Sequence, residues 1–250
     1  MTATRYLPVN DETAVNGQPP RLLVGLTALT VIAVIFSLYL ALVYAETDLT
    51  QGDVQRIFYI HMPAFFGAFL AFGAAVVGGI QYLRTREVRW DRLAVAGVEV
   101  GLALGLVNLV TGAIWARPIW NTWWTWDPRL TSDAVMILTY AAYLMLRNGI
   151  ENLETRRRFA AVFGILAFVT VLVTLLIIRF VPTTIHPVVI GESPQNAAGT
   201  FEATTNVAIA LVPNLLIWGM LVPVTLLWWR IRLENSMAQV HALKLRLFEE

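Results

Sequence analysis

The chain has 250 residues, of which 57% are hydrophobic and only 14% are charged. A soluble globular domain carries about 25% charged residues, so this composition excludes that class. It equally excludes a disordered chain. A formal net charge of +1 gives no reason to expect nucleic acid as a partner, and the absence of cysteine excludes disulfides and thiolate sites. What remains is an integral membrane protein made of one bundle of several spans.

Six apolar runs follow one another along the chain, each near the roughly 20 residues that a helix needs to cross a bilayer. They lie at about 22–45, 57–83, 93–116, 130–146, 159–181 and 203–229, and the fourth is the shortest. The sequence therefore predicts an all-α integral membrane protein. Residues 1–232 form a six-transmembrane-helix bundle, and the tail 233–250 continues as a short amphipathic helix.

The basic residues predict the orientation of this bundle. The N-terminal leader with Arg5, the loops 84–92 and 147–158, and the C-terminal tail together hold 14 of the 18 Lys and Arg residues. The positive-inside rule places these segments, and with them both termini, in the cytoplasm. The loops near 46–56, 117–132 and 182–202 then face outward.

The second and third spans carry small residues at helical spacing. In the third span Gly97, Gly101 and Gly105 recur every four residues, and Asn108 and Gly112 extend the same stripe. Small residues let helix backbones approach closely in lipid. We therefore expect the second and third spans to pack face to face.

Two of the three histidines fall on the outward side. His61 lies about four residues inside the outer end of the second span, or about 6 Å deep, and His186 lies in the last outer loop. His241 is in the tail and is interpreted as a solvated bystander. An ionisable residue within a span is a functional candidate because burying it costs stability. The ordinary alternative for His61 is an imidazole bonded to a backbone carbonyl for structural reasons only.

The densest local pattern is a tryptophan-rich segment between these histidines. Five of the nine tryptophans fall between Trp115 and Trp126. An aromatic belt at the membrane boundary is the ordinary explanation, but a belt does not account for this density or for the charged residues in it. If the segment is helical, four of its residues share one face and form a flat aromatic shelf, with Arg117 and Arg129 at its rim. Those four are Trp120, Trp123, Trp124 and Asp127.

Haem is the ligand that needs all of these groups together. Its planar ring stacks on indoles, its carboxylates pair with arginine, and its iron takes axial histidines. Quinones and lipid headgroups would use the tryptophans but leave the two histidines unexplained.

The motifs also resemble a known family. The run WNTWWTWDPRLTS (residues 120–132) is similar to the signature WGxWWxWDxRLTS of the cytochrome c maturation protein C (CcmC-type) branch of the haem-handling proteins. The segment YIHMPA (residues 59–64) is similar to YIHVPA at the start of that branch's second span. Asn121 replaces a glycine of the signature, Pro128 replaces an alanine and breaks a helix more firmly, and Pro187 after His186 departs from the expected pattern.

The resemblance implies a function. His61 and His186 would be the axial ligands of haem b, and an outer platform would hold the ring and meet a partner: Trp120, Trp123, Trp124, Trp126, Asp127 and Arg129. The protein would deliver haem to a periplasmic haem chaperone (CcmE-type) from the bacterial cytoplasmic (inner) membrane. Other implied partners are a pair of ABC transporter subunits (CcmA- and CcmB-type), a small single-span subunit (CcmD-type) and membrane lipid. The chain has no P-loop signature for ATP hydrolysis of its own.

Two alternatives stay open at this point. A haem lyase or synthetase would need a general acid or base near the platform, for which only Asp127 and Asp133 are available. A haem or solute transporter would use polar groups inside the spans, namely Glu99, Asn108, Asn206 and Asn214. We prefer the interpretation that these polar groups bond across packed helices, and that the protein is a haem-binding and delivery protein without catalytic residues.

Overall fold

The computed structural model describes residues 18–49, 51–181, 184–186 and 205–249, with the backbone alone for residues 241–249. Arg5 and most of the predicted outer loop 182–202 lie outside this part of the chain. The regular structure of the described residues is helical, apart from one isolated bridge between Asp48 and Gly52. The all-α architecture predicted from the apolar runs is confirmed.

Seven α-helices make up the described part of the chain. They are α1 (Arg21–Tyr39), α2 (Phe58–Thr85), α3 (Val88–Trp120), α4 (Pro128–Gly149), α5 (Leu153–Phe180), α6 (Thr205–Leu216) and α7 (Val222–Glu249). A π-helical turn, Leu40–Tyr44, extends α1, and a 3₁₀ turn, Asp53–Ile57, leads into α2. A second π-helical turn, Ile217–Leu221, joins α6 to α7, so the C-terminal tail is the unbroken continuation of the last helix.

Among the described residues, five stretches are long and apolar enough to cross a membrane, as in a multi-pass membrane protein. They are Arg21–Tyr44, Asp53–Thr85, Val88–Trp120, Leu153–Phe180 and Thr205–Val240. They correspond to five of the six predicted spans. The predicted fourth span, 130–146, is helix α4, and it does not belong to this apolar set.

Helix α4 differs from the others because its charged side chains turn inward. Asp133 and Arg147 are buried, whereas Val135, Leu138 and Met145 are exposed. The 22 residues of α4 span about 33 Å, close to the thickness of the hydrocarbon core of a bilayer. The charges that lower its overall hydropathy therefore do not lie on its outer face, which is apolar.

Helices α2 and α3 pack face to face, as their small residues predict. A Cβ atom at Gly97 would lie 2.5 Å from the carbonyl oxygen of Ala71, and one at Gly101 would lie 2.5 Å from the ring of Phe72. Phe72 in turn stacks on Tyr140 of α4, with ring centroids 3.8 Å apart. This contact places α4 against the α2–α3 pair, and residues of α5 and α7 complete the buried core.

A buried ion-pair network ties three helices together at one end of the bundle. Arg147, near the end of α4, donates two hydrogen bonds of 2.7 Å to the carboxylate of Asp91 in the first turn of α3. Arg157 of α5 lies 3.4 Å from the same carboxylate. One carboxylate at the start of α3 thus binds a side chain from the end of α4 and one from the start of α5, so the network fixes these three helix ends relative to one another.

Candidate functional site

His61 lies in the first turns of α2, and α3 holds its imidazole in place. The Nδ1 atom is 2.9 Å from the carbonyl oxygen of Asn108 and 3.2 Å from the hydroxyl of Thr111. Asn108 returns a hydrogen bond of 2.9 Å from its side-chain amide to the carbonyl of His61. Because a carbonyl oxygen only accepts, Nδ1 carries the proton, and the Nε2 atom of the neutral imidazole keeps its lone pair.

Gly112 makes room for this imidazole. A Cβ atom at Gly112 would lie 2.9 Å from Cε1 of His61. Asn108 and Gly112 thus flank His61 from adjacent turns of α3. The sequence pattern placed both residues on a stripe of small residues that packs against α2. In the structure, the end of this stripe contacts the imidazole of His61.

The tryptophan-rich segment is not one helix. Helix α3 ends at Trp120 because Asn121 adopts a left-handed conformation with φ of 55°. This conformation favours glycine, and asparagine tolerates it better than most residues, which explains the exchange at this position. The expectation of a common helical face for Trp120, Trp123, Trp124 and Asp127 is therefore wrong beyond Trp120.

Pro128 starts a helix rather than breaking one. It is the first residue of α4, where its missing N–H costs nothing and its fixed φ suits the helix. Asp127 is the N-cap, and its carboxylate accepts a hydrogen bond of 2.8 Å from the backbone N–H of Arg129. The interpretation of Pro128 as a helix breaker is corrected accordingly.

The same carboxylate of Asp127 binds the segment that carries His186. It accepts hydrogen bonds from the hydroxyl of Thr184 at 3.1 Å, from the backbone N–H of Ile185 at 2.8 Å and from Nδ1 of His186 at 3.2 Å. Its side chain is only 2% exposed. One buried acid therefore caps α4 and fixes a histidine that lies nearly 60 positions further along the chain.

The pKa directions of this pair agree with a neutral imidazole beside a carboxylate. Burial raises the pKa of Asp127, but the hydrogen bonds from His186, Ile185, Thr184 and Arg129 outweigh burial and hold it well below its usual range. Burial lowers the pKa of His186, and the bond to Asp127 only partly offsets this. At neutral pH His186 thus donates Nδ1–H to Asp127 and keeps the lone pair of Nε2.

The structure brings His61 and His186 to the same cavity. It has a volume of about 20 Å³, and its polar lining consists of His61, Asn108, Arg129, Asp133 and His186. Within the described part of the chain, neither Nε2 atom has a hydrogen-bond partner. A space of this size holds about one water molecule and does not hold a porphyrin.

Four of the five tryptophans in this segment form two edge-on pairs instead of one flat shelf. Trp120 packs edge-on against His186, with ring centroids 5.2 Å apart, and edge-on against Trp115 at 4.9 Å. Trp124 meets Trp126 edge-on at 5.9 Å. Trp123 and Trp126 are 59% and 81% exposed, so the outer surface of the segment is apolar and open.

The two arginines expected at the rim lie in different places. Arg117 is exposed and donates a hydrogen bond of 2.8 Å to the carbonyl of Asn121. Arg129 turns into the bundle, where it binds the carbonyl of Thr174 and lies 4.6 Å above the ring of Phe65. Its inward direction was not predicted, and neither was the place of Asp133 one turn later in the cavity wall.

The polar residues inside the spans bond to other parts of the bundle, in agreement with the preferred interpretation. Glu99 accepts a hydrogen bond of 3.0 Å from Arg230 of α7. The side-chain amide of Asn214 donates to the carbonyls of Ala210 and Ser37, and that of Asn206 donates to Glu46. These contacts give each of the three side chains a partner within the bundle, although the buried Oδ1 of Asn214 has none among the described residues.

Several known proteins are similar to this chain. The model of the heme exporter protein C family matches residues 11–244. The heme exporter protein C of Rhodobacter capsulatus is 33% identical over 135 residues, which are 54% of this chain and 56% of that protein. The protein of the same name from Paracoccus denitrificans is 32% identical over 152 residues, 61% of this chain and 62% of that protein.

A mitochondrial protein is similar to this chain as well. A ccmC-like mitochondrial protein of Arabidopsis thaliana, named for cytochrome c biosynthesis, is 35% identical over 108 residues, which are 43% of this chain and 42% of that protein. The chain spans about half the length of the curated relatives it matches.

Proposed function

Because this chain belongs to the heme exporter protein C family, we propose that it binds haem between His61 and His186 and delivers it to a periplasmic haem chaperone. The observation that carries the proposal is the meeting of these two histidines at one cavity, each with Nδ1 engaged and Nε2 open. Haem handling for cytochrome c biogenesis is the role of the family. The two ligands, the chaperone and the direction of delivery are the proposed additions.

The donor set fits haem iron. Neutral imidazole is a common axial ligand of haem, and a histidine that gives its other N–H to a carboxylate or a carbonyl is held in the ligating tautomer. Asp127 supplies the carboxylate for His186, and Asn108 supplies the carbonyl for His61. The chain's own residues thus hold both nitrogen atoms ready for a metal.

Binding requires the site to open, because the cavity between the histidines is far smaller than a porphyrin. The inner wall belongs to long helices with a packed core, whereas His186 is held by the contacts of Asp127 and by the edge of Trp120. The segment 184–186 is therefore the part that we expect to move. Trp120 and Trp124 would contact the ring once it is bound, and Arg117 is the exposed cation suited to its carboxylates.

The proposal includes a topology. Helix α4 would be the fourth of six spans, because it is long enough to cross the bilayer and its charged residues Asp133 and Arg147 are buried. Both termini are then cytoplasmic and the tryptophan-rich segment lies in an outer loop, in agreement with the distribution of Lys and Arg. For a bacterial chain this corresponds to the cytoplasmic membrane, with haem b presented on the periplasmic side.

The exposed tryptophans give the chaperone a surface. Trp123 and Trp126 are large, apolar and open, and such residues are enriched at the centres of protein interfaces. An ABC transporter pair would supply energy, and a small single-span subunit would complete the assembly. Asp127 is ionised and fully hydrogen-bonded in this arrangement, so it acts as a positioning residue rather than as the acid that a haem lyase would need.

The ligand assignment is tested by the absorbance of the purified protein in the Soret region. The chain with His61→Ala and His186→Ala together should lose most of the haem that the wild type binds per mole. His241→Ala, which changes the third histidine of the chain, is the matched control and should bind haem as the wild type does. Equal haem in the double variant and the wild type would show that these histidines are not the ligands.

A further inference from the structure

An open groove lies at the far end of α2 from His61, between the end of α2 and the start of α5. It has a volume of about 370 Å³ and is lined by Leu83, Arg86, Thr155, Arg158, Phe159 and Val162. Leu83 is 22 residues from His61 along one helix, or about 33 Å. This distance is close to the thickness of the hydrocarbon core, so the groove lies at the opposite membrane boundary.

The groove has two cations without a matching acid. Within the described residues, neither Arg86 nor Arg158 takes part in a salt bridge. Arg86 has only a distant contact with the ring of Tyr82, at 6.0 Å. The neighbouring Arg157, by contrast, lies beside Asp91. Two guanidinium groups and the hydroxyl of Thr155 at one mouth match the oxygens of a phosphodiester.

The backbone around these arginines is fixed on both sides. Arg86 is in the left-handed conformation that ends α2, and its N–H donates to the carbonyl of Tyr82 at 2.9 Å. Asn152 caps the start of α5 through a hydrogen bond of 2.9 Å from the N–H of Thr155. Arg86 and Arg158 therefore extend from two defined helix ends rather than from a loose loop.

The wall below the arginines is apolar and continues along the membrane-spanning part of α5. Phe159 and Val162 line the groove, and Leu166 and Val169 follow at helical spacing, all of them exposed on the outer face. Beside this strip, α2 and α5 come close together at Gly79, where a Cβ atom would lie 3.2 Å from the carbonyl of Ala161. The groove thus has a cationic mouth, formed by Arg86 and Arg158, above an apolar wall.

From these features we infer that the groove binds one anionic phospholipid of the cytoplasmic leaflet, with its phosphate on Arg86 and Arg158 and an acyl chain along Phe159, Val162 and Leu166. A free phosphate would use only the arginines and leave the apolar wall uncovered. A zwitterionic lipid would use the wall but bring a cation to the two guanidinium groups. This inference does not depend on haem or on the two histidines.

The test uses the full chain in detergent and native mass spectrometry with three probes: phosphatidylglycerol, phosphatidylcholine and inorganic phosphate. We expect phosphatidylglycerol to bind more tightly than phosphatidylcholine. Replacement of both arginines, Arg86→Gln and Arg158→Gln, should lower the affinity for phosphatidylglycerol by about thirtyfold. This figure follows because each cation contributes about 1 kcal/mol to the binding of an anionic lipid. The matched control is Arg21→Gln with Arg84→Gln, which removes the same charge outside the groove and should leave the affinity unchanged.

A second variant tests the apolar wall. Val162→Trp fills the groove at an exposed position and leaves the arginines in place. It should lower the affinity for both lipids. The inference is overturned if the two lipids bind equally, if the control pair weakens binding as much as the groove pair, or if inorganic phosphate binds as tightly as the lipid. Displacement of the lipid by added haem would overturn it too, since the groove would then be a site for haem carboxylates. Soret absorbance should be the same in all these variants, which separates this test from that of the histidine ligands.

Discussion

The two ends of the bundle bury charged groups in opposite ways. At one end Asp91 is matched by Arg147 and Arg157, and its carboxylate serves three helices. At the other end Asp127 is just as buried, but one of its partners is a histidine whose second nitrogen points to an open cavity. The carboxylate of Asp91 is paired with arginines alone, so its contacts stabilise the fold. The carboxylate of Asp127 bonds to the imidazole of His186, whose Nε2 lone pair is still available to a ligand.

The largest expected effect is on stability, at the Asp91 end. Asp91→Ala leaves two arginines near one another without their acid, which should lower the free energy of unfolding by about 3–5 kcal/mol. Thermal unfolding in detergent measures the loss. Glu87→Gln, which removes an exposed acid paired with Arg89, is the control and should cost less than about 1 kcal/mol. The folded fraction of the Asp91 variant should still bind haem normally; weaker binding would show that the two ends are coupled.

At the other end the expected effect is on ligand binding. Asp127→Asn keeps the size of the side chain but removes the charge that His186 faces. Loss of the hydrogen-bond partner of a metal-binding histidine costs about 10–100-fold in metal affinity. Haem titration gives the affinity, and the reduction potential of bound haem should rise because the imidazole becomes a weaker donor. If Asp127 acts through His186, the change should have no further effect in a His186→Ala background.

A smaller loss should follow from filling the space beside His61. Gly112→Ala places a methyl group against the imidazole, and we expect a loss of about tenfold in haem affinity, as about 1–3 kcal/mol of overpacking would give. Gly73→Ala is the matched control, because a Cβ atom at that helical position meets nothing within 4 Å. A Gly112 variant that binds haem like the wild type would show that the imidazole does not need its present position.

The smallest effect should be the pH dependence of the haem-free chain. The folded pKa of His186 lies below its ordinary value of 6.5, so the unfolded chain takes up a proton first and stability falls as the pH drops below about 6.5. The pKa of Asp127 is also lowered, so its contribution is complete above about 3.8 and is lost only in stronger acid. Unfolding temperatures between pH 8 and 5 should show a decline below 6.5 that is smaller in His186→Asn. A parallel decline in both proteins would contradict the assignment to His186.

The sequence predicted the helices well because an apolar run reports burial in lipid directly. The Gly97 and Gly101 spacing likewise predicted the contact between α2 and α3, since only small residues permit it. The limits of α4 were harder, because its charged residues look like loop residues until a partner helix covers them. Periodicity also could not show that α3 stops at Asn121, where one positive φ turns the chain.

Within the candidate site, the residue types and positions predicted the two histidines and Asp127, and their part in haem binding stays a prediction. Their partners were not, because Asn108 and Gly112 fit a packing stripe equally well and nothing local marks the carbonyl that His61 binds. Arg129 was expected at the rim, yet its neighbours Phe65 and Thr174 come from distant parts of the chain. Contacts of that range depend on the assembled fold and have no signal in a single sequence.

Asp127 both caps α4 and binds the imidazole of His186, so the first turn of α4 and the position of His186 depend on the same carboxylate. The first turn cannot fray without releasing the imidazole, since one carboxylate secures both. Trp126, the adjacent residue, protrudes into the surroundings. Under the proposed function, a chaperone that docks on this indole would act directly on the neighbouring Asp127, so docking would also loosen the hold on His186.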